Sequence, residues 1–238
     1  MANPTERFDC TIAGAGFAGL SCATAVARRG FRVCVLEKKA SVCSKIRTTG
    51  ILVREAVEDL AILDGLRPSL TRAIPAVRLY APNLKNVRLE SPGYHFLATD
   101  TRGVLRWLAA QAAEAGAEVR FRSPFEGARR VTAGWDLGAR GHCRVLVGAD
   151  GTRSAVARAL ELGRNRRLLH GIEYEYRLRN GQADLEENDA LHCFIDSQLA
   201  PGYIAWALQG VGHLQVGLAQ SGTRANGPQV VGLKPAMT

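Results

Sequence analysis

The chain of 238 residues contains no uninterrupted run of about 18 apolar residues, which leaves it without a membrane-spanning helix. Its first seven residues lack a basic segment followed by an apolar core, so no secretory leader is expected and the protein reads as cytoplasmic. Aromatic residues are scarce, at 6%, and do not interleave with the basic ones; with no nucleic-acid module in view, nucleic-acid binding is not expected. Six cysteines (Cys10, Cys22, Cys34, Cys43, Cys143, Cys193) form no CxxC pair and no zinc spacing. Free, mostly buried thiols in a reducing compartment are the natural reading. No histidine stands where it would suggest a hydrolase, and no metal-ligand spacing exists. What is present is an ordinary globular composition, 47% hydrophobic and 22% charged, long enough for one large or two small domains. The net charge of +9 comes mostly from arginine, clustered at Arg28-Arg29, Arg129-Arg130 and Arg164 to Arg167. Solvated charge accounts for these clusters; an anionic membrane surface or an acidic lipid is the alternative partner.

Two glycine loops carry the chemistry. The first is Gly14-Ala15-Gly16-Phe17-Ala18-Gly19. It follows a short apolar strand, Phe8 to Ala13, and opens a helix-compatible stretch that stops at Gly30. A second apolar strand, Phe31 to Leu36, then ends at Glu37, 23 positions after Gly14. Strand, glycine turn, helix, strand and acid together are the context a dinucleotide site requires. Gly14 is expected to permit the tight turn, Gly16 to let the backbone approach a pyrophosphate, and Gly19 to let helix and strand pack closely. The phosphates would meet the positive end of the helix. A carboxylate at Glu37 suits an unphosphorylated ribose, hence FAD or NAD rather than NADP.

The second loop is Gly148-Ala149-Asp150-Gly151, delivered by the apolar segment Cys143 to Val147 and followed by a helix-compatible stretch from Ser154, a plausible N-cap. Asp-Gly is also an ordinary turn signal. The two loops in sequence, GAGFAGLSCA with VCVLEKK and then VGADGTRSAVAR, resemble the FAD-dependent oxidoreductases of the p-hydroxybenzoate-hydroxylase-like fold, which include aromatic-ring monooxygenases and geranylgeranyl reductases. The resemblance implies FAD as cofactor, with NAD(P)H as a possible electron donor. It places Glu37-Lys38 at the adenosine end and Asp150 and Gly151 near the pyrophosphate. It also assigns a cofactor contact to Arg102, before the helical stretch that leads to Gly116-Ala117-Glu118-Val119; a solvated arginine is the alternative. Arg47 lies where family members run a loop beside the flavin, and reads equally as a surface arginine. Ala200-Pro201-Gly202-Tyr203 through Trp206 to Val216-Gly217 resembles a segment of the geranylgeranyl-reductase branch, which makes Tyr203 and Trp206 candidates for a substrate wall, or else aromatic core.

The expected fold is α/β: a Rossmann-like FAD/NAD(P)-binding domain, a parallel sheet with a small antiparallel meander lying on it, and an antiparallel β-rich substrate domain. The domains are expected at 1–66 with 99–165 and at 67–98 with 166–222, leaving 223–238 as a tail. Four successive strands between His170 and Leu218 are expected to form one antiparallel sheet. Family members run on for a further hundred residues or more and carry a Gly-Asp pair that grips the flavin; this sequence has no Gly-Asp and is read as truncated. Three functions stay open: an FAD-dependent oxidoreductase passing hydride to or from a small apolar, isoprenoid-like substrate, with docking at the inner membrane surface; an NAD(P)H-dependent aromatic monooxygenase; and a non-catalytic nucleotide-binding remnant. Oligomeric state is not legible.

Overall fold

The structure, a computed structural model, describes residues 6–59, 63–179, 181 and 183–223. In chain order the first elements are β1 (Arg7–Ala13), α1 (Phe17–Ala27), β2 (Val33–Leu36), β3 (Ile51–Val53), α2 (Arg54–Glu58), β4 (Thr71–Ile74), β5 (Ala76–Tyr80), β6 (Asn86–Glu90), β7 (Phe96–Thr99) and α3 (Thr101–Glu114). They are followed by β8 (Glu118–Arg120), β9 (Arg129–Val131), β10 (Gly134–Asp136), β11 (His142–Gly148), α4 (Ala155–Ala159), β12 (Arg167–Arg177), β13 (Ala190–Phe194), β14 (Ala205–Gln209) and β15 (His213–Thr223). The chain divides into two compact units: Met1–Arg47, Ile62–Leu66 and Arg102–Asn165 form one, and Thr48–Ala61, Arg67–Thr101 and Arg166–Thr238 the other. The segment 48–61, expected with the nucleotide domain, belongs to the second unit.

The first unit is built on a sheet of order β8-β2-β1-β11-β10-β9, parallel across β8, β2, β1 and β11. All four residues of β2 are buried, as expected for a parallel strand covered on both faces. Helix α1 presents the small buried residues Gly19, Ala23 and Ala27 at four-residue intervals, which allows close approach to the sheet. It ends where Gly30 takes φ +83°, a left-handed conformation that glycine reaches without a Cβ penalty. Helix α3 is amphipathic, burying Val104, Leu105, Leu108 and Ala112. The meander β9–β10 does not lie on the sheet as expected. It hydrogen-bonds antiparallel to β11 and extends the same sheet at one edge. The segment between β8 and β11 still contributes core, since Leu137, Phe125 and Trp135 pack with Phe8, Cys34, Leu36 and Cys143. Burial raises the Cys10 thiol to about 11 and the Cys34 thiol to about 12, so both behave as small apolar groups.

The second unit contains a sheet of order β12-β15-β14-β13-β5-β6 and a smaller one of order β3-β7-β4. The four successive strands pair as expected in one sheet, but it is larger and mixed: β13 runs parallel to β5, which brings β5 and β6 into it. Ile74, Ala98 and Leu208 form its central core, with Ile51, Phe96 and Leu191 packed around them. A buried polar cluster fixes β5 to β13. The Tyr80 hydroxyl lies 2.9 Å from Nδ1 of His192, whose Nε2 lies 2.7 Å from the Glu187 carbonyl. A carbonyl only accepts, so Nε2 carries the proton and Nδ1 accepts from tyrosine. Glu187 in turn bridges Arg78 and Arg88, which stand opposite each other on β5 and β6.

Candidate cofactor site

Strand β1 lies in register with β11, Ala13 opposite Gly148, so the two glycine loops leave the same end of the sheet side by side. Strand β2 lies on the other flank of β1. This is the switch point at which open α/β sheets bind ligands. The loops touch. The Ala149 N–H donates to the Ala13 carbonyl at 2.9 Å. Gly14 takes φ +104°, and a Cβ there would run into the Ala149 carbonyl and stand 3.0 Å from the Asp150 Cα. A Cβ at Gly19 would overlap the Gly14 carbonyl and stand 3.4 Å from the Ala149 Cβ. Protein packing therefore explains both glycines.

Gly16 is different. Its backbone is extended, at φ −88° and ψ −172°, and a Cβ there would meet nothing within 4 Å. It stands at the N-cap of α1, with no side-chain cap and no acidic residue in the first turn. The orphan N–H groups of that turn thus keep their partial positive charge for an anion. An open cradle, uncapped donors and a glycine that packing does not demand fit a pyrophosphate. Phe17 and Ala18 belong to that first turn, whereas the Ala15 N–H is taken by Glu37.

Glu37 and Asp150 both prove to be structural acceptors. Glu37 is 4% exposed; its Oε2 accepts the Ala15 N–H at 2.9 Å and its Oε1 accepts the Lys39 N–H at 2.8 Å. The carboxylate thereby ties the first glycine loop to the end of β2, leaving one lone pair on each oxygen for a ribose hydroxyl. Oδ2 of Asp150 accepts the N–H groups of Ala155 at 2.5 Å and Val156 at 3.3 Å, capping α4 together with Ser154, whose Oγ accepts the Ala157 N–H at 2.9 Å. Its Oδ1 is buried and has no hydrogen-bond partner among the described residues, an unused acceptor on a residue whose Cα backs Gly14. Gly151, at φ +86°, is exposed.

Arg102 opens α3, exposed, and donates from Nη1 to the Cys43 carbonyl at 3.2 Å; the Cys43 thiol donates back to the Arg102 carbonyl at 3.7 Å. The pair ties the loop after Glu37 to the helix. Lys38 and Arg47 are both exposed.

The substrate-wall candidates part company in the second unit. Tyr203 is 46% exposed, whereas Trp206 is buried and donates its indole N–H to Glu173 Oε2 at 2.8 Å. Gly217 stands between them in the sheet, opposite Trp206 on β14 and Glu173 on β12, and a Cβ there would overlap the indole ring. Sequence reasoning did not single out Glu173; its partners lie on strands that are not neighbours in sequence. Desolvation raises its carboxyl to about 7, with the Glu175 charge adding to the shift and the Trp206 bond opposing it. A carboxyl raised from 4.5 stabilises the fold fully below its unfolded pKa and loses that contribution as pH climbs toward 7. Wild-type stability should fall across that window, by about 2 kcal/mol once solvent screening of this half-buried carboxyl is allowed for. A Glu173→Gln chain, which keeps an oxygen for the indole, should lack this slope in urea melts run at successive pH values.

A parallel sheet with a glycine turn, an uncapped helix N-terminus and an acid at the end of the second strand defines a dinucleotide-binding protein. The chain belongs to the FAD binding domain family, which matches residues 7–225. It is 29% identical to digeranylgeranylglycerophospholipid reductase 2 of Methanopyrus kandleri, an alignment covering 92% of this chain and 56% of that protein. The corresponding reductase of Haloferax volcanii is 28% identical over 85% of this chain and 50% of its own length. The chain thus spans about half the length of these curated relatives. Its fold is similar to that of a geranylgeranyl bacteriochlorophyll reductase-like protein from Thermoplasma acidophilum, at TM-score 0.74 and 23% identity over 91% of this chain and 57% of that one. No helix among the described residues is long and apolar enough to cross a membrane, and no cluster of metal-ligating side chains occurs among them.

Proposed function

We propose that this chain is the cofactor-binding and substrate-facing part of an FAD-dependent oxidoreductase that acts on an apolar, isoprenoid-like lipid. The observation that carries the reading is the contact between the two glycine loops, with Gly16 open beside them. The names of the reductase relatives supply the substrate class. Bound FAD would supply hydride transfer. The first unit would hold it: the α1 N-terminus against the pyrophosphate, Glu37 toward the adenosine ribose, Asp150 Oδ1 as a further acceptor, and Arg102 and Arg47 as cations at the rim. The second unit, with Tyr203 exposed and Trp206 lining the sheet, would take the apolar chain. NAD(P)H is the donor that suits such a flavin, and the arginine clusters suit contact with an anionic lipid surface from the cytoplasmic side.

The test is the absorption spectrum of the purified protein after incubation with FAD and removal of excess. Flavin bands near ~450 nm, a property of the cofactor, are expected at about one flavin per chain. A colourless protein that takes up no FAD would leave a non-catalytic remnant as the account. For the flavin-loaded chain, saturation of a polyprenyl glycerophospholipid, read as added hydrogen by mass spectrometry, supports the reductase. NAD(P)H oxidation with oxygen uptake stimulated by phenols would instead establish the aromatic monooxygenase.

A further inference from the structure

Strand β12 is the longest unpaired edge among the described residues. It runs for 11 residues, Arg167 to Arg177, and pairs with β15 along one side; none of the described strands pairs with the other side. Backbone groups alternate in direction along a strand. The Leu178 N–H donates to the Gly212 carbonyl on the β15 side, so the even-numbered residues of β12 turn their polar groups inward. The odd-numbered residues, Arg167, Leu169, Gly171, Glu173, Glu175 and Arg177, turn theirs to the free edge. The strand contains no proline, and its side chains do little to shield that edge: Leu169 is 52% exposed, Tyr174 44% and Tyr176 43%. A long, partly apolar edge without proline is a template for another strand.

We propose that the strand is added by a second copy of this chain, antiparallel, about a two-fold axis at Gly171. The charge pattern of the strand selects this register. With Gly171 opposite its twin, Arg167 faces Glu175 of the second copy, and by symmetry the pair forms twice. Leu168 meets Tyr174 on one face, and Leu169 meets the aliphatic part of Glu173 on the other. Gly171 places no side chain at the axis; a Cβ there would crowd Ala219 and the Leu218 carbonyl of its own sheet. The register keeps odd residues opposite odd residues, so their outward N–H and carbonyl groups pair. Moving the axis to Ile172 would set Arg167 against Arg177, and moving it to Glu173 would set two glutamates together; like charges directly opposite destabilise a sheet. Moving it to His170 would set Arg167 against Glu173, whose carboxyl is already held by the Trp206 indole, whereas Glu175 is exposed and free to meet it. The result joins two six-stranded sheets into one continuous sheet.

Sedimentation velocity on the whole chain over a concentration series tests this. A concentration-dependent dimer is expected. Arg167→Glu sets Glu against Glu175, and Glu175→Arg sets Arg against Arg167, so each reversal should weaken self-association about tenfold. An equimolar mixture of the two variants should dimerise as tightly as the wild type, because every cross pair is then of opposite sign. Both positions are exposed, and circular dichroism and melting temperature serve to establish that each variant is folded. A monomer throughout the series would overturn the proposal. So would a dimer indifferent to both reversals, or one that the mixture does not restore.

Discussion

A Gly16→Val chain should fold like the wild type and fail to hold flavin. Its backbone at φ −88° and ψ −172° is one any residue adopts, and the space around the new side chain is open, so the only cost is that of valine at an N-cap, about 1 kcal/mol or a melting temperature lower by ~4 °C at most. Valine would fill the cradle at the helix N-terminus and keep the pyrophosphate from the N–H groups it needs. The expected loss is about a hundredfold in FAD affinity, ~3 kcal/mol, measured by flavin fluorescence titration. Gly19→Val is the opposite case. There the side chain would collide with the Gly14 carbonyl and press on Ala149, so the damage reaches the fold itself. A destabilisation of about 4 kcal/mol or more is expected, seen as lost soluble yield and an early thermal transition. If Gly16→Val bound FAD at full strength, the phosphates would have to lie elsewhere.

Removing the Glu37 carboxylate should be nearly as damaging, and without any cofactor present. Glu37→Ala leaves the buried Ala15 N–H and the partly buried Lys39 N–H without their acceptor. Each orphaned donor costs about 1–3 kcal/mol, so the loss should be about 4 kcal/mol in urea unfolding of the flavin-free protein. Glu37→Gln keeps one acceptor oxygen and should lose roughly half as much. The alternative outcome is informative: a residue serving only the ribose would leave flavin-free stability untouched and change FAD affinity alone.

The parts of this molecule that could be read from its sequence are those whose partners are near in sequence. The run from Phe8 through Gly14 to Glu37 declares strand, turn, helix, strand and acid within a few dozen residues, and the structure has those elements in that order. The Asp-Gly loop was legible as a turn, with Ser154 as the cap that follows it. Pairings across long separations were not legible. Nothing local says that β13 will lie parallel to β5, or that β9 and β10 will extend the sheet rather than cover it. The same limit hid the second role of Glu37. A carboxylate after a strand reads as a ligand group, but the N–H that occupies Glu37 belongs to Ala15, 22 residues earlier. Trp206 read equally as a substrate-wall aromatic and as sheet core, and only the cross-strand neighbours Gly217 and Glu173 show what its ring and its N–H rest on.

The contact between Gly14 and Ala149 also bears on how the protein comes together. The nucleotide seat is not a local structure that a short N-terminal peptide could form, because one wall of it arrives more than a hundred residues later, with β11. Closing so long a loop costs chain entropy before any contact compensates, which makes the seat a late event in folding. FAD can therefore recognise only a chain whose first unit has already assembled. Added to a refolding mixture, it should leave the rate of collapse unchanged and act afterwards, raising stability by mass action in proportion to the logarithm of its concentration.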